Sequence, residues 1–363
     1  MESLDQGHPT DSFSRLPRGR LGIGVVGYGR VARRWHVPMY RRAGLNIAAI
    51  CDLDPQALQA AANDWPDIPR YSTVAELLAN PAVEVVDLAT PPTDRLGLVA
   101  EVVGAGRHVL AQKPLALSAA ELDEVICLAR RQGVRIAVNQ NGRFAPAWRR
   151  VTELLRNGTI GRLRAITHTY DTNLRWTYDP KRHATPQFLM FDYSNHWIDI
   201  CGYWLEPDPI CAIQAMEYDS VQHTDGGRQQ SMWVSMESAA GVSVLIRGAA
   251  AGLSHDGHQF VVQGDAGTLR GSVDCVEGEH LELDDGAQRT RLPLRGEWFG
   301  DAFVESMVEL LLAVEEHREP QHSFADNRRT VSLVAAACAS ARSGGARVFM
   351  DGLTTAEMQG AQR

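Results

Sequence analysis

The clearest pattern in the first third of the chain is a repeated exchange between short, almost wholly apolar runs and longer stretches with helical periodicity. The apolar run Leu21 to Val26 leads into Gly27, and the next strand is Asn46 to Cys51. Pro55 to Trp65 and Ser72 to Leu78 read as helices, and Val83 to Ala89 as a buried strand stopped by Thr90-Pro91-Pro92. Asp94 to Gly104 is a predicted helix, His108 to Ala111 a fourth strand, and Ser118 with Glu121 a capping box opening a helix to Arg131. Val134 to Val138 completes five strands. Apolar strands alternating with helices predict a doubly wound parallel sheet, an α/β Rossmann domain over residues 21–142.

From Pro146 the pattern changes. After a helix at Trp148 to Arg156, strand-like alternation runs through Leu163 to Tyr170. A polar segment, Asp171 to Pro186, precedes a predicted amphipathic helix, Gln187 to Leu205. Then come Ile210–Tyr218, Ser231–Ser238, Val242–Arg247, Gln259–Gly264, Thr268–Gly271 and His280–Leu283, all alternating or β-branched and separated by Gly and Asp turns. With few helices between them, these runs predict a large open, mainly antiparallel sheet. Asp301 to His317 and Asn327 to Ser343 read as closing helices. The second domain is therefore α+β, over 143–350, with tails expected at 1–20 and 351–363.

Composition narrows the function classes. Over 363 residues, 44% are hydrophobic and 22% charged, ordinary for a globular protein with two cores. A net charge of -8, with no basic stripe, argues against nucleic acid as a partner. No apolar run approaches the roughly 18 residues of a membrane span. The first 20 residues lack the apolar centre of a signal peptide. Six cysteines are scattered without metal-ligand spacing; Cys127, Cys201 and Cys338 lie in helical patterns and read as small core residues, which suggests a reduced, cytoplasmic protein. No metal site is expected.

The candidate chemistry begins at Gly27-Tyr28-Gly29-Arg30-Val31-Ala32, a G-x-G-x-x-A pattern at the predicted strand-to-helix turn. The first glycine permits the turn, the second lets the backbone approach a pyrophosphate, and the helix N-terminus offers N–H groups. Asp52 ends the next strand, where a carboxylate hydrogen-bonds the ribose hydroxyls and repels a 2′-phosphate, favouring NAD over NADP. Its alternative is a turn residue or a helix N-cap. Lys113 follows a strand and precedes Pro114, at the edge where ligands of such sheets sit; the alternative is a solvated surface lysine. Asp192 and His196 share one face at i, i+4 spacing, suited to a proton acceptor with an orienting carboxylate or to a local surface pair.

Taken in order, Gly27-Tyr28-Gly29, Asp52, Ala89-Thr90-Pro91-Pro92, Gly106-Arg107-His108-Val109 running into Gln112-Lys113-Pro114, Arg143-Phe144-Ala145-Pro146 and Asp192-x-x-x-His196 resemble the Gfo/Idh/MocA oxidoreductases, which include inositol dehydrogenases and glucose–fructose oxidoreductase. The resemblance runs from about residue 20 to about 350. It implies hydride transfer between nicotinamide and a sugar, glycoside or cyclitol carbinol carbon. Lys113, Asp192 and His196 would be catalytic, and Thr90, Pro91, Gln112, Lys113 and Asn141 would join Gly27, Tyr28, Gly29, Arg30, Val31 and Asp52 around the cofactor. Arg143, Arg175, Trp176, Tyr178, Arg182, His183, Asp192 and His196 would meet the substrate. The chain departs from the family at Gln112, where a glutamate is usual, and at Arg95, where a histidine is often found. It also carries Ala184 to Met190 in place of a glycine-rich approach to the aspartate. Two alternatives are an NAD-retaining enzyme that cleaves glycosides and a non-catalytic NAD-sensing protein. The wide second sheet predicts a homodimer or homotetramer.

Overall fold

The computed structural model describes residues 16–92, 95–172, 187–222, 228–250, 257–273 and 278–350. The chain forms two compact units: residues up to Gln112 with 124–141 and 299–324, and residues 113–123, 142–298 and those from Ala325 onward. The chain thus passes between the units more often than one boundary at 142/143 implies.

The first unit is built on six parallel strands, β1 (Ile23–Val26), β2 (Ile47–Cys51), β3 (Arg70–Tyr71), β4 (Val85–Leu88), β5 (His108–Gln112) and β6 (Ile136–Asn139), in the order β3-β2-β1-β4-β5-β6. The apolar runs read from the sequence are these central strands, and every residue of β1, β4 and β6 is buried. Beyond them, β3 has only two residues, too short for alternation to reveal. The reversal of strand order between β1 and β4 is where open α/β sheets take their ligands.

The connecting helices are α1 (Val37–Arg42), α2 (Pro55–Asp64), α3 (Val74–Ala79), α4 (Arg95–Gly104) and α5 (Glu121–Gln132). A π-helical turn, Ala32–His36, precedes α1. Asp54 caps α2 by accepting from the Gln56 N–H at 2.9 Å, and Thr73 with Glu76 forms a capping box on α3. At α5 the expected box takes another form: the Ser118 hydroxyl donates to the Glu121 carboxylate at 3.0 Å. Cys127 is exposed rather than buried, because the apolar stripe of α5 runs through Leu122, Val125, Ile126 and Ala129; Cys201 and Cys338 are buried.

The second unit contains α6 (Pro146–Arg156), β7 (Leu163–Asp171), α7 (Asn195–Leu205), β8 (Ile210–Gln222), β9 (Arg228–Ser238), β10 (Ser243–Ala249), β11 (Gly257–Gly264), β12 (Thr268–Ser272), β13 (His280–Asp284) and β14 (Arg289–Leu292). Helix α8 (Asp301–Glu315) follows, and its Val304, Met307, Val308, Leu310 and Leu311 join the core of the first unit. Helix α9 (Phe324–Arg342) and β15 (Val348–Phe349) end the described chain. The nine strands form one sheet, β14-β13-β12-β11-β7-β10-β9-β8-β15, antiparallel except for β10 beside β7. Along β10, Val244 and Ile246 are buried while Ser243, Leu245 and Arg247 are exposed, so this face of the sheet is covered and the other is not.

The single helix expected from Gln187 to Leu205 is broken. Leu189–Tyr193 is a π-helical turn and α7 begins at Asn195. Ser194 marks the break: its hydroxyl donates to the Leu189 carbonyl at 2.8 Å and lies 2.6 Å from the Tyr170 hydroxyl. π-turns of this kind often occur at functional sites.

Candidate active site

In the first unit, Gly27 has φ 93°, and a Cβ there would stand 3.1 Å from the Ala89 carbonyl carbon and oxygen. Only glycine fits this turn without strain. Gly29 differs: it is exposed, and an added Cβ would meet no atom within 4 Å. The protein's own packing does not require glycine at 29.

Asp52, at the end of β2, accepts the Tyr28 N–H on Oδ2 at 2.6 Å and the Asp54 N–H on Oδ1 at 2.9 Å. Its carboxylate is thereby fixed beside the glycine turn. The Tyr28 ring is buried: its hydroxyl donates to Asp64 at 2.9 Å and accepts from the Trp65 indole at 2.9 Å. Burial and the Asp64 carboxylate push this phenol up to about 12. Arg30 is exposed and Val31 half-buried on the following turn. The Thr90 hydroxyl is buried without a hydrogen-bond partner among the described residues, Pro91 is exposed, and Asn141 is buried in a short 3-10 turn, Asn141–Phe144.

Arg95 ties the carboxyl ends of two strands together. Its guanidinium donates to the Gln112 carbonyl at 2.5 Å and to the Thr90 carbonyl, and the residue is 2% exposed. Gln112 is also held through its side chain, with Nε2 2.9 Å from Nε2 of His36. Nδ1 of His36 in turn lies 2.7 Å from Oδ2 of Asp87, which also accepts from the Tyr40 hydroxyl at 3.0 Å. Sequence reasoning missed His36, Asp87 and Tyr40. One signal was present: an aspartate inside the apolar strand Val85-Val86-Asp87-Leu88 must have a buried partner.

In the second unit the structure brings Lys113 and Asp192 together. Nζ donates to Oδ1 of Asp192 at 2.6 Å and to its carbonyl oxygen at 2.7 Å. The π-turn makes the second contact available, since it aims the carbonyl and the carboxylate of one residue at the same ammonium. Asp192 thus anchors Lys113; no hydrogen bond joins it to His196 among the described residues.

His196 stands in the first turn of α7, edge-on to Trp298 at 5.7 Å, with Nδ1 buried and without a partner among the described residues. Burial, then the Lys113 ammonium, push the imidazole from the ordinary 6.5 down to about 3. A Cβ on Gly142 would come within 3.3 Å of Nδ1, so glycine there leaves room for the ring.

Arg143 is buried and engaged at both ends. It pairs with Asp199 through two bonds of 2.7 Å and with Asp326 at 2.6 Å, and it lies over the Tyr203 ring at 4.5 Å. The Thr330 hydroxyl donates to the same Asp199 at 2.5 Å. Burial opposes both charges, but the Asp199 and Asp326 carboxylates with Tyr203 together outweigh it for Arg143, and the Arg143 charge and hydrogen bonds hold Asp199 below its ordinary range. The arginine expected to meet substrate instead fixes α7 one turn past His196. Arg175, Trp176, Tyr178, Arg182 and His183 lie outside the described residues. Among the described residues no group of three or more His, Cys, Asp or Glu is placed to hold a metal, and no helix is long and apolar enough to cross a membrane.

A strand order with its reversal beside Gly27, an open glycine and a fixed strand-end carboxylate define a dinucleotide-binding protein. Comparison with known proteins makes the assignment specific. Residues 21–140 match the model of the oxidoreductase family with an NAD-binding Rossmann fold, and residues 148–270 match the GFO/IDH/MocA C-terminal domain. The chain belongs to the Gfo/Idh/MocA family of oxidoreductases with an NAD-binding Rossmann fold.

An oxidoreductase of Synechocystis is 31% identical over 191 residues, covering 49% of this chain and 51% of that one, so the chain spans about half the length of that relative. The D-apiose dehydrogenase of Paraburkholderia graminis is 27% identical over 339 residues, 88% of this chain and 87% of that one. An oxidoreductase from Agrobacterium radiobacter, solved in complex with NAD+, L-tartaric acid and magnesium, shares the fold with a TM-score of 0.80 at 20% identity, over 93% of this chain and 100% of that one.

Proposed function

We propose that this chain oxidises a carbinol carbon of a sugar, glycoside or cyclitol, or reduces the corresponding ketone, with NAD. The single observation that supports this most is the Lys113–Asp192 pair beside His196, whose imidazole burial and then the same ammonium hold neutral. The likeness to a D-apiose dehydrogenase along most of both chains supports the sugar class. NAD, when bound, supplies the hydride acceptor or donor at its nicotinamide ring.

The chain's own residues handle the proton and the oxygen. His196, neutral at working pH, takes the hydroxyl proton as the carbon–hydrogen bond is lost as hydride. Lys113 donates to the substrate oxygen while charge develops on it, and Asp192 keeps the ammonium aimed. Arg143 holds α7, and so the histidine, through Asp199. Asp52 favours NAD because a 2′-phosphate would face its carboxylate. The uncovered face of the nine-stranded sheet supports a homodimer or homotetramer; sedimentation as a monomer at micromolar concentration would overturn that part.

The test is absorbance at the NADH band across a panel of sugars, glycosides and inositols, with NAD and NADP compared. Substrate-dependent NADH formation that prefers NAD supports the proposal. A protein that binds NAD but reduces it with nothing on the panel overturns it. Glycoside hydrolysis without net NADH would then favour the cofactor-retaining alternative.

A further inference from the structure

We propose that His36 and Asp87 are positioning residues for the nicotinamide carboxamide, acting through Gln112: the buried pair fixes the Gln112 amide with its oxygen free to accept an amide N–H. The inference rests on the NAD reading above and concerns residues of the first unit alone.

The chain of protons follows from what each group is able to do. The Gln112 NH2 group only donates, so Nε2 of His36, 2.9 Å away, accepts from it. With Nε2 accepting, the ring proton lies on Nδ1, which faces Oδ2 of Asp87 at 2.7 Å. Asp87 is an acceptor in the middle of a buried strand and takes a second bond from the Tyr40 hydroxyl. His36 and Asp87 are both 0% exposed, and the imidazole is packed against the Phe303 ring at 4.8 Å, so the ring has no room to turn over. His36 also ends the π-helical turn Ala32–His36, an irregularity that sets where the imidazole meets the sheet.

Gln112 is thus held at two places, by Arg95 at its carbonyl and by His36 at its amide nitrogen. No partner for its amide oxygen is found among the described residues, and the residue is half-buried at the carboxyl end of β5, the end at which such sheets meet their ligands. A free glutamine side chain turns either end of its amide outward with little preference. This one has its donor end engaged from behind, so it meets a ligand as an acceptor. The dinucleotide carries one primary amide, the carboxamide of its nicotinamide ring, and that group is a donor of the matching kind.

The experiment uses binding alone and needs no substrate. Calorimetric titrations of the full chain would compare NAD+, the 3-acetylpyridine analogue of NAD+, which keeps the carbonyl but has no amide N–H, and ADP-ribose, which lacks the ring. The wild type is expected to prefer NAD+ over the analogue about tenfold, the value of one well-made hydrogen bond. Gln112→Met and His36→Phe should each abolish that preference and leave ADP-ribose affinity within about twofold. Gln112→Met, at a half-buried strand end, keeps the test open should His36→Phe fold poorly. Equal wild-type affinity for NAD+ and the analogue overturns the proposal, and so does a parallel loss of ADP-ribose binding in His36→Phe, which marks a merely structural role. A wild-type protein that binds neither NAD+ nor ADP-ribose overturns the NAD reading itself, a separable failure.

Discussion

Nζ of Lys113 is bonded to Asp192 twice, to the carboxylate at 2.6 Å and to the main-chain carbonyl at 2.7 Å. One ammonium with three donors thereby spends two on a single residue, and in the proposed reaction the third meets a substrate oxygen. Lys113→Met removes that donor and the charge that, after burial, depresses His196. We expect turnover to fall by about 10²–10³, as for loss of one preorganised donor, with NAD affinity little changed. Asp192→Asn keeps both acceptor positions but not the charge, and should cost less. Steady-state kinetics on the substrate found in the panel, beside NAD titrations, would check the order; equal losses of turnover and NAD binding would contradict it.

The two glycines of the turn should separate stability from binding. Gly27→Ala introduces a Cβ 3.1 Å from the Ala89 carbonyl at φ 93° and should destabilise the fold by about 1–3 kcal/mol. Gly29→Ala meets no protein atom within 4 Å. Its melting temperature should match the wild type while its NAD affinity falls at least tenfold. Thermal melts with and without NAD would read both effects, and unchanged NAD binding in Gly29→Ala would count against a pyrophosphate at this backbone.

His168 and His196 make the fold sensitive to acid. Burial pushes His168, stacked on Trp204 and also facing His258, from 6.5 to about 3, and burial with Lys113 does the same to His196. Between pH 6.5 and 3 the unfolded chain binds protons that the folded chain refuses, so stability rises with pH through that window. It is complete above 6.5 and is lost progressively as pH falls toward 3. Each histidine contributes a slope of at most about 1.4 kcal/mol per pH unit. His168→Phe, which keeps an aromatic ring in the cluster, should flatten the fall; denaturant midpoints at pH 7 and pH 5 would show it. Because His196 is already neutral well below pH 6.5, its titration should leave no inflection near that pH in turnover.

The parts of this design that depend on neighbours in the chain were legible from the residues. Gly27, Gly29 and Asp52 are tied by turn geometry and strand length, and the central strands of the first unit are apolar because both faces are covered. What escaped depends on contacts across long separations. His36 meets Asp87 51 positions away and Gln112 76 away, and nothing in their local sequence pairs them. The break at Ser194 follows from Tyr170 on β7, so periodicity alone extended the helix through it. Helix α8 was visible as a helix, yet no local signal says that it packs in the first unit.

Arg143 gives the sharpest test of a residue whose place differs from its expected role. Facing a substrate, it would be replaceable with a change in KM and little effect on folding. It is instead fully buried, paired with Asp199 and Asp326, and the Asp199 carboxylate it neutralises is itself 1% exposed. Arg143→Met would leave that carboxylate buried with, among the described residues, the Thr330 hydroxyl bonded to it and the Arg329 charge nearby, and breaking a buried pair from one side costs about 3–5 kcal/mol. The double change Arg143→Met with Asp199→Leu removes the stranded charge as well and should recover part of the stability. Recovery of stability without recovery of turnover would follow if the ion pair sets the angle of α7 and so the position of His196. Denaturant midpoints and kinetics on the three proteins decide the matter: a stable Arg143→Met that only raises KM would return the arginine to the substrate.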